Sequence, residues 1–454
     1  MSEKALRTRG EHRLWNARWL AAMIYALVML LDLLTYERGH ALMQSYGAAL
    51  AFAMIGICLY RGEYRADRAY GLGLALAAWY ALTRVLNGDH YLQYDYNQYR
   101  IVSMAVTYGL AFPMAAMLED EEKRCALDRI VAVLTVALSA VCWLGVIAAL
   151  QGEVITIPFF NSQFGIMEDG RLYVLSQHPN FTASISVCGL CMLIYLVVSR
   201  WKPWVLIPAV VGGAGLFMAL PLSDSRTGMI AFIISVVIAA VIGFQRLSLP
   251  AKWRRIVEAV CLVAIVAIVA VVGFNATVKV VSTTNESEQT ISQRSLLADL
   301  TTLTGRTGVY GAVPATIAQH PSALLKGFDE LEMMPAVNKN VDMQYNHMHN
   351  SFLQTLMLTG VPGLVLTLWL TWRIVSAAVR VLFESEGKIG PAQKLLVLLP
   401  AALFIQGMLE HYLFMDSYSI LNFLFFLFSG YVVRLGRQVT WKQAFPMLSR
   451  RTKA

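Results

Sequence analysis

Charge is what this sequence has least of. Charged residues fill 15% of its 454 positions and apolar residues 57%, whereas a soluble domain carries about a quarter charged. That balance, with a mean hydropathy of +0.55, excludes an ordinary water-soluble globular domain. Nucleotide signatures are missing as well. The chain has no G-x-x-x-x-G-K-[ST] phosphate loop, no G-x-G-x-x-G fingerprint and no acidic metal motif, so chemistry driven by a nucleotide, a dinucleotide or a carboxylate-held metal has no sequence basis. No internal repeat or low-complexity segment is visible. The formal net charge of +8 is not gathered into a like-charge block of the kind that binds nucleic acid. Cysteine is sparse: Cys58, Cys125, Cys142, Cys188, Cys191 and Cys261. Five fall in apolar runs and Cys125 in a short loop. Cys188 and Cys191 form a C-x-x-C in mid-helix without a second pair, which reads as small apolar filling rather than a redox or zinc motif.

What the chain has in abundance is long apolar runs. A bilayer core takes about 20 apolar residues per helix, and helices are the spanning element for runs of this length. The expectation is an all-α polytopic membrane protein of about twelve spans, with boundaries near 15–34, 41–60, 69–86, 101–118, 130–150, 181–199, 205–222, 227–245, 256–275, 351–372, 395–414 and 417–436. The whole of 1–454 reads as one membrane-embedded domain. Its basic N-terminus leads into a run too long for a signal peptide, hence a retained first helix. Basic residues collect in alternate loops (Arg61, Arg65, Arg68; Lys123, Arg124, Arg129; Arg246, Lys252, Arg254, Arg255). By the positive-inside rule both termini are then cytoplasmic, in the inner (plasma) membrane. Outside lie a moderate loop at 151–180 and a large one at 276–350, too long to lack structure of its own. Within it Val309, Val313 and Ile317 form a helical stripe suited to packing on the bundle, and Pro314 is expected to kink or end that helix.

Ionisable groups are costly in a membrane, so those kept at one face are the candidates for chemistry. Ser223-Asp224-Ser225-Arg226-Thr227 places Arg226 at a helix N-terminus, where the dipole already favours an anion. An anion site explains that placement; so would pairing with Asp224, or snorkelling. Tyr345-Asn346-His347-Met348-His349-Asn350 offers a proton acceptor near neutral pH, with Asn350 as an N-cap. A metal would need a third ligand that H-x-H does not supply locally, and a purely structural pair is also open. Arg306 lies in the large loop, upstream of His320, Pro321 and Gly327. Arg171 and His178-Pro179-Asn180 precede the sixth span, where Asn180 suits a cap. Tyr91, Tyr94, Tyr96 and Tyr99 could stack on sugars or form an interfacial belt. Guanidinium forks match phosphate oxygens. Arginines with one imidazole at the headgroup level therefore suit sugar transfer from a lipid pyrophosphate, in which a base deprotonates an acceptor hydroxyl and cations stabilise the departing charge.

The S-x-S-R turn at Ser223–Arg226, the loop Arg306 followed by His320, Pro321 and Gly327, and the H-N-x-x-L-Q-x-x-x-x-x-G-x-x-G-L run from His349 to Leu364 together resemble the O-antigen ligase and O-antigen polymerase superfamily over roughly 165–372. The resemblance implies transfer of a glycan from undecaprenyl pyrophosphate to a glycan, lipid or wall hydroxyl on the extracytoplasmic side. It implies inversion at the sugar and no cofactor or metal. It assigns His349 as base and Arg226 and Arg306 to the pyrophosphate, with Arg171, His178, Asn180, Ser225, His347 and Asn350 around the substrate. Tyr310 stands where the family often has Trp, Phe328 replaces a second Gly, and His347 is a second candidate base. A polymerase would use the same donor. A lipid-linked glycan flippase would instead show paired halves and midplane charges, but Asp32 and Glu410 lie near outer helix ends.

Overall fold

The computed structural model describes residues 48–87, 103–117, 121–157, 162–199, 203–245, 306–415 and 420–445, apart from positions 66, 168–169, 176–177 and 342–343, together with a few isolated positions before 48 and at 101. The expected span at 256–275, the tyrosines at 91–99 and most of the expected span at 15–34 lie outside the described residues. Those described are mostly helical, in the order α1 (Ala48–Tyr60), α2 (Arg68–Asn87), α3 (Glu121–Gln151), α4 (Pro179–Ser199), α5 (Pro203–Leu222), α6 (Arg226–Phe244), α7 (Arg306–Gln319), α8 (Ala323–Lys326), α9 (Glu330–Asn338), α10 (Ser351–Leu382), α11 (Leu398–Leu409) and α12 (Ile420–Arg437). Eight segments among them are long and apolar enough to cross a membrane. The protein is thus a multi-pass membrane protein. The 101–118 run forms only a short apolar helix, Ser103–Ala116, broken into a π turn and a 3-10 segment, where Pro113 removes a backbone donor.

Three expectations need correction. The 151–180 loop departs from the all-α expectation: β1 (Ile155–Ile157), β2 (Ser162–Ile166) and β3 (Leu172–Tyr173) form an antiparallel ribbon in that order. Its β-branched Ile-Thr-Ile strand and the positive-φ glycines Gly152, Gly165 and Gly170 favour hairpins over a span. Pro314 does not end its helix, since α7 runs on to Gln319. Position 125 falls inside α3 rather than in a loop. Cys142, Cys188 and Cys191 are buried and unpaired by disulfides, as packing groups would be.

α12 runs through the middle of the bundle, with 89% of its span buried, while α5 on the periphery has 28%. α5 and α10 turn Ile207, Val210, Val365, Leu368 and Trp372 outward, a lipid-facing surface. Between helices in lipid there is no hydrophobic driving force, so small residues set close approach. A Cβ on Gly228 of α6 would lie 2.4 Å from Ala183 of α4, which pins together the N-terminal ends of those two helices. The bundle has two polar ends. Asp67, before α2, pairs with Arg373 of α10 at 2.9 Å, and Arg437 of α12 approaches to 3.9 Å. Arg373 lies roughly 30 Å along α10 from its start at Ser351, at 1.5 Å per residue, so the pole around Glu410 is at the other end.

The described part of the large loop is stitched onto that second end. Arg84 of α2, 1% exposed, donates to the carbonyls of Phe328 and Leu358. Asn87 Nδ2 donates to the Lys326 carbonyl and Lys326 Nζ to the Leu86 carbonyl, and Phe328 N–H donates to Met357 at 2.7 Å. Two glycines permit this contact. Gly327 and Gly360 have φ +70° and +67°, and a Cβ would sit 2.2 Å from the Leu358 carbonyl carbon in one case and 2.6 Å from the Leu324 oxygen in the other. Gly360 also breaks α10. Ala at either position would meet both left-handed strain and fixed backbone. Gly327→Ala and Gly360→Ala should each lower the melting temperature in detergent by several degrees. Gly387→Ala, at φ +78° with nothing within 4 Å, should cost less. Equal melting temperatures for all three would remove the close-approach account.

Candidate functional site

The site is built around a carboxylate. Glu410 ends α11 in extended backbone, and its side chain is 2% exposed. Its Oε1 accepts from Arg306 at 2.5 Å and from Asn180 Nδ2 at 2.6 Å. Its Oε2 faces His349 Nδ1 at 3.4 Å. Asn180 Oδ1 in turn accepts from Ser225 Oγ at 2.9 Å and Arg171 at 3.4 Å. Arg171 also donates to the carbonyls of Ser223 and Asp224. Residues far apart in sequence thus meet through one carboxyl and one carboxamide.

Local structure explains how each arrives. The β-ribbon returns the chain to the bundle, and a turn closed by Gly170 N–H on Met167 (2.8 Å) presents Arg171. Asn180 does not cap α4, contrary to expectation. His178 does so: its Nδ1 accepts from Asn180 N–H at 3.2 Å and its carbonyl from Phe181 at 2.8 Å. Pro179 occupies the first helical position, where its missing donor costs nothing. That leaves the Asn180 side chain for the network. Burial pushes His178 below its ordinary value, with Glu410 acting in the opposite sense, so it stays a neutral acceptor. Ser225 caps α6, accepting from Gly228 N–H, after Asp224 turns the chain at φ 45°. Arg226 follows directly as the first residue of α6, partly buried.

The histidine loop is held from several sides. Asn350 caps α10, accepting from Phe352 and Leu353 N–H at 2.9 and 3.0 Å, and donates to Met408 at 2.9 Å. His349 adopts φ 48°, a costly conformation for a side chain of this size. Tyr310 donates to its carbonyl at 2.7 Å, and Gln354 Oε1 accepts from Met348 N–H. His347 stacks on His411 with centroids 3.9 Å apart and lies 3.9 Å from His349. Burial, with His411 and His349 adding repulsion, pushes His347 down to about 2, so its imidazole is neutral at ordinary pH. Beside this loop an open cleft of about 510 Å³ runs between Met334 and Asn338 of α9 and the Gln344–Asn346 segment. Tyr345 lines it, and its ring lies 6.3 Å from that of His349.

Arg171, Asn180, Ser225, Arg306 and His349 are joined through Glu410 and Asn180; His178, His347 and Asn350 stand beside them, and Arg226 follows Ser225 in the chain. Two members of the assembly are not among the expected site residues: Glu410, which is its hub, and His411. Glu410, like Asp32, is a carboxylate near the end of an apolar run, and such a placement in a membrane is itself the signal.

Comparison with known proteins bears on the same residues. Residues 213–368 match the family model for O-antigen ligase. That segment, about a third of the chain, is similar to an O-antigen ligase domain. The family comprises membrane ligases and polymerases of the glycosyltransferase kind, which act on lipid-linked glycan. No curated protein matches the chain. The matched O-antigen ligase segment contains Ser225, Arg226, Arg306, His347 and His349 but ends before Glu410 and begins after Arg171 and Asn180, so the network ties the domain to flanking spans.

Burial alone would raise the Glu410 carboxyl. The Arg306 guanidinium, together with His349, overcomes that and holds it well below the usual carboxylate range. A depressed acid contributes stability that is full above the unfolded value, near 4.3 for Glu, and is lost as pH falls through the lower folded value. Wild-type melting temperature should therefore drop below about pH 4 with a component that Glu410→Gln lacks. At neutral pH that variant should be less stable by about 3–5 kcal/mol, the cost of breaking a buried pair. Superimposable pH–stability profiles would refute the assignment.

Proposed function

We propose that this protein transfers a glycan from undecaprenyl pyrophosphate to a hydroxyl acceptor at the extracytoplasmic face of the inner membrane, with both termini in the cytoplasm. The observation that carries this reading is the junction at Glu410, which gathers Arg306, His349, Asn180 and the Ser225–Arg226 turn at one end of the O-antigen ligase-like segment. The acceptor oxygen attacks the anomeric carbon from the face opposite the pyrophosphate, so configuration inverts. His349 takes the hydroxyl proton, the carbon–oxygen bond to the pyrophosphate breaks, and undecaprenyl pyrophosphate departs with one more negative charge. Arg226 and Arg306 stabilise that charge, and Arg171 supports the turn that carries Arg226. Glu410 orients Arg306 and offsets the positive charge formed on His349, a positioning residue in the manner of a carboxylate behind a catalytic imidazole. The cleft lined by Tyr345, Asn338 and Asn346 offers the aromatic face and amides that suit a saccharide acceptor next to the base.

The same donor chemistry serves a polymerase. Surface glycans of a deletion strain separate the two: unattached full-length chains indicate a ligase, single-repeat products a polymerase. In detergent, with lipid-linked donor and no added divalent metal, Arg226→Ala and His349→Ala should each cut transfer at least about a hundredfold while the protein stays folded, the scale for losing one charge-stabilising or proton-accepting group. Arg306→Lys keeps a cation for Glu410 but not the planar fork, and should rescue poorly. Retained turnover in Arg226→Ala and His349→Ala would end this reading. Tyr345→Ala should raise the acceptor KM several-fold with donor KM unchanged; an unchanged acceptor KM would remove the cleft from it.

A further inference from the structure

We infer that His347, His349 and Glu410 form a binding site for a borderline divalent transition ion, Zn²⁺ or Co²⁺ in class, whose occupancy silences transfer. One ligand atom from each of the three side chains falls within 4.8 Å of the others. The third ligand, which H-x-H alone did not supply, comes from a different span. The spacing between His349 Nδ1 and Glu410 Oε2, 3.4 Å, is long for an N–H···O bond of about 2.7–3.2 Å. It equals the edge of a tetrahedron whose bonds are about 2.0–2.1 Å, the Zn–N and Zn–O range.

The electron pairs are available. The Nδ1 atoms of His347 and His349 are buried; that of His347 makes no hydrogen bond among the described residues, and that of His349 faces Glu410 Oε2. Arg306 and Asn180 occupy Oε1 of Glu410, which leaves Oε2 turned to the imidazoles and fixes the carboxylate as an outer partner does in metal sites. The stack of His347 on His411, the Tyr310 bond to the His349 carbonyl and the Gln354 bond to Met348 hold the ligands in place before any ion arrives. His349 keeps a quarter of its side-chain surface, 24%, open, so an ion can enter and retain a water or anion at a remaining position. Two imidazoles and one carboxylate suit Zn²⁺, Co²⁺ or Ni²⁺, whereas Mg²⁺ and Ca²⁺ take oxygen sets. Arg306 already balances Glu410, so the ion leaves the cluster with excess positive charge, which favours a bound anion.

The inhibitory half rests on the role proposed for His349 as base, because a ligated imidazole cannot take the acceptor proton. The site itself does not rest on it. The test uses the full-length, tag-free protein in detergent, stripped with chelator and titrated with Co²⁺. The visible absorption of tetrahedral cobalt should rise to one equivalent, Zn²⁺ should displace it, and Mg²⁺ should not. His347→Ala should weaken Co²⁺ binding at least about tenfold, while His320→Ala, whose ring packs on Phe328, should bind as wild type and guards against loss through misfolding. No stoichiometric cobalt spectrum in wild type, or one unchanged in His347→Ala, overturns the site. Transfer should fall at least about tenfold at full Zn²⁺ occupancy and recover with chelator. Full occupancy with undiminished transfer would uphold the site and overturn both the silencing and His349 as the base.

Discussion

Glu410 is a buried negative charge at the end of a membrane span, and its surroundings are arranged to keep it ionised. Removing a carboxylate from water costs several kcal/mol, recovered only when opposite charge and hydrogen bonds are well placed. Here a guanidinium, a carboxamide and an imidazole meet its two oxygens. The requirement is mutual. Arg306 would be expensive to keep 9% exposed without its anion, and Asn180 would leave a donor idle. The carboxylate therefore acts as a clamp on three segments that are remote in the chain: the start of α4, the start of α7 and the loop before α10. Through Asn180 and Ser225 it also reaches the start of α6.

That arrangement makes function and folding share the same contacts. The strained backbone at His349, the cap at Asn350 and the bond from Tyr310 all serve to place one imidazole. Strain of this kind survives where neighbouring structure over-determines it. The large loop contributes Arg306 and Tyr310 and is held to the bundle by Arg84, Asn87 and the two glycines, so the described part of the loop belongs to the packed interior.

Much of this was legible in the sequence. Apolar runs of the right length gave α2, α4, α5, α6 and α12 within a few residues, because spanning a bilayer leaves little choice of length, whereas α3 begins nine residues before its expected start, α10 runs ten past its expected end and α11 stops five short. The S-x-S-R turn and the H-N-x-x-L-Q run carried Arg226 and His349, since both open helices and so sit at a polar end. Three things were hidden. The β-ribbon strands are two to five residues long, too short for alternation to declare itself. Asn180 resembled a cap because it stands beside Pro179, and only the hydrogen bond to His178 Nδ1 shows which residue has that task. Glu410 looked like an interfacial carboxylate because its partners come from other helices, and no local pattern encodes a contact across 104 or 230 positions.

The Gln354 side chain reaches back to Met348, between the two histidines, and so sets a ruler inside the motif. A residue inserted anywhere from His349 to Leu353 would rotate Gln354 by about 100° around the helix and carry it away from that amide. Among descendants of this chain, single-letter changes between the histidine and the glutamine should be common and length changes scarce, because the distance along the chain, more than the identity of the spacers, is what selection has to preserve.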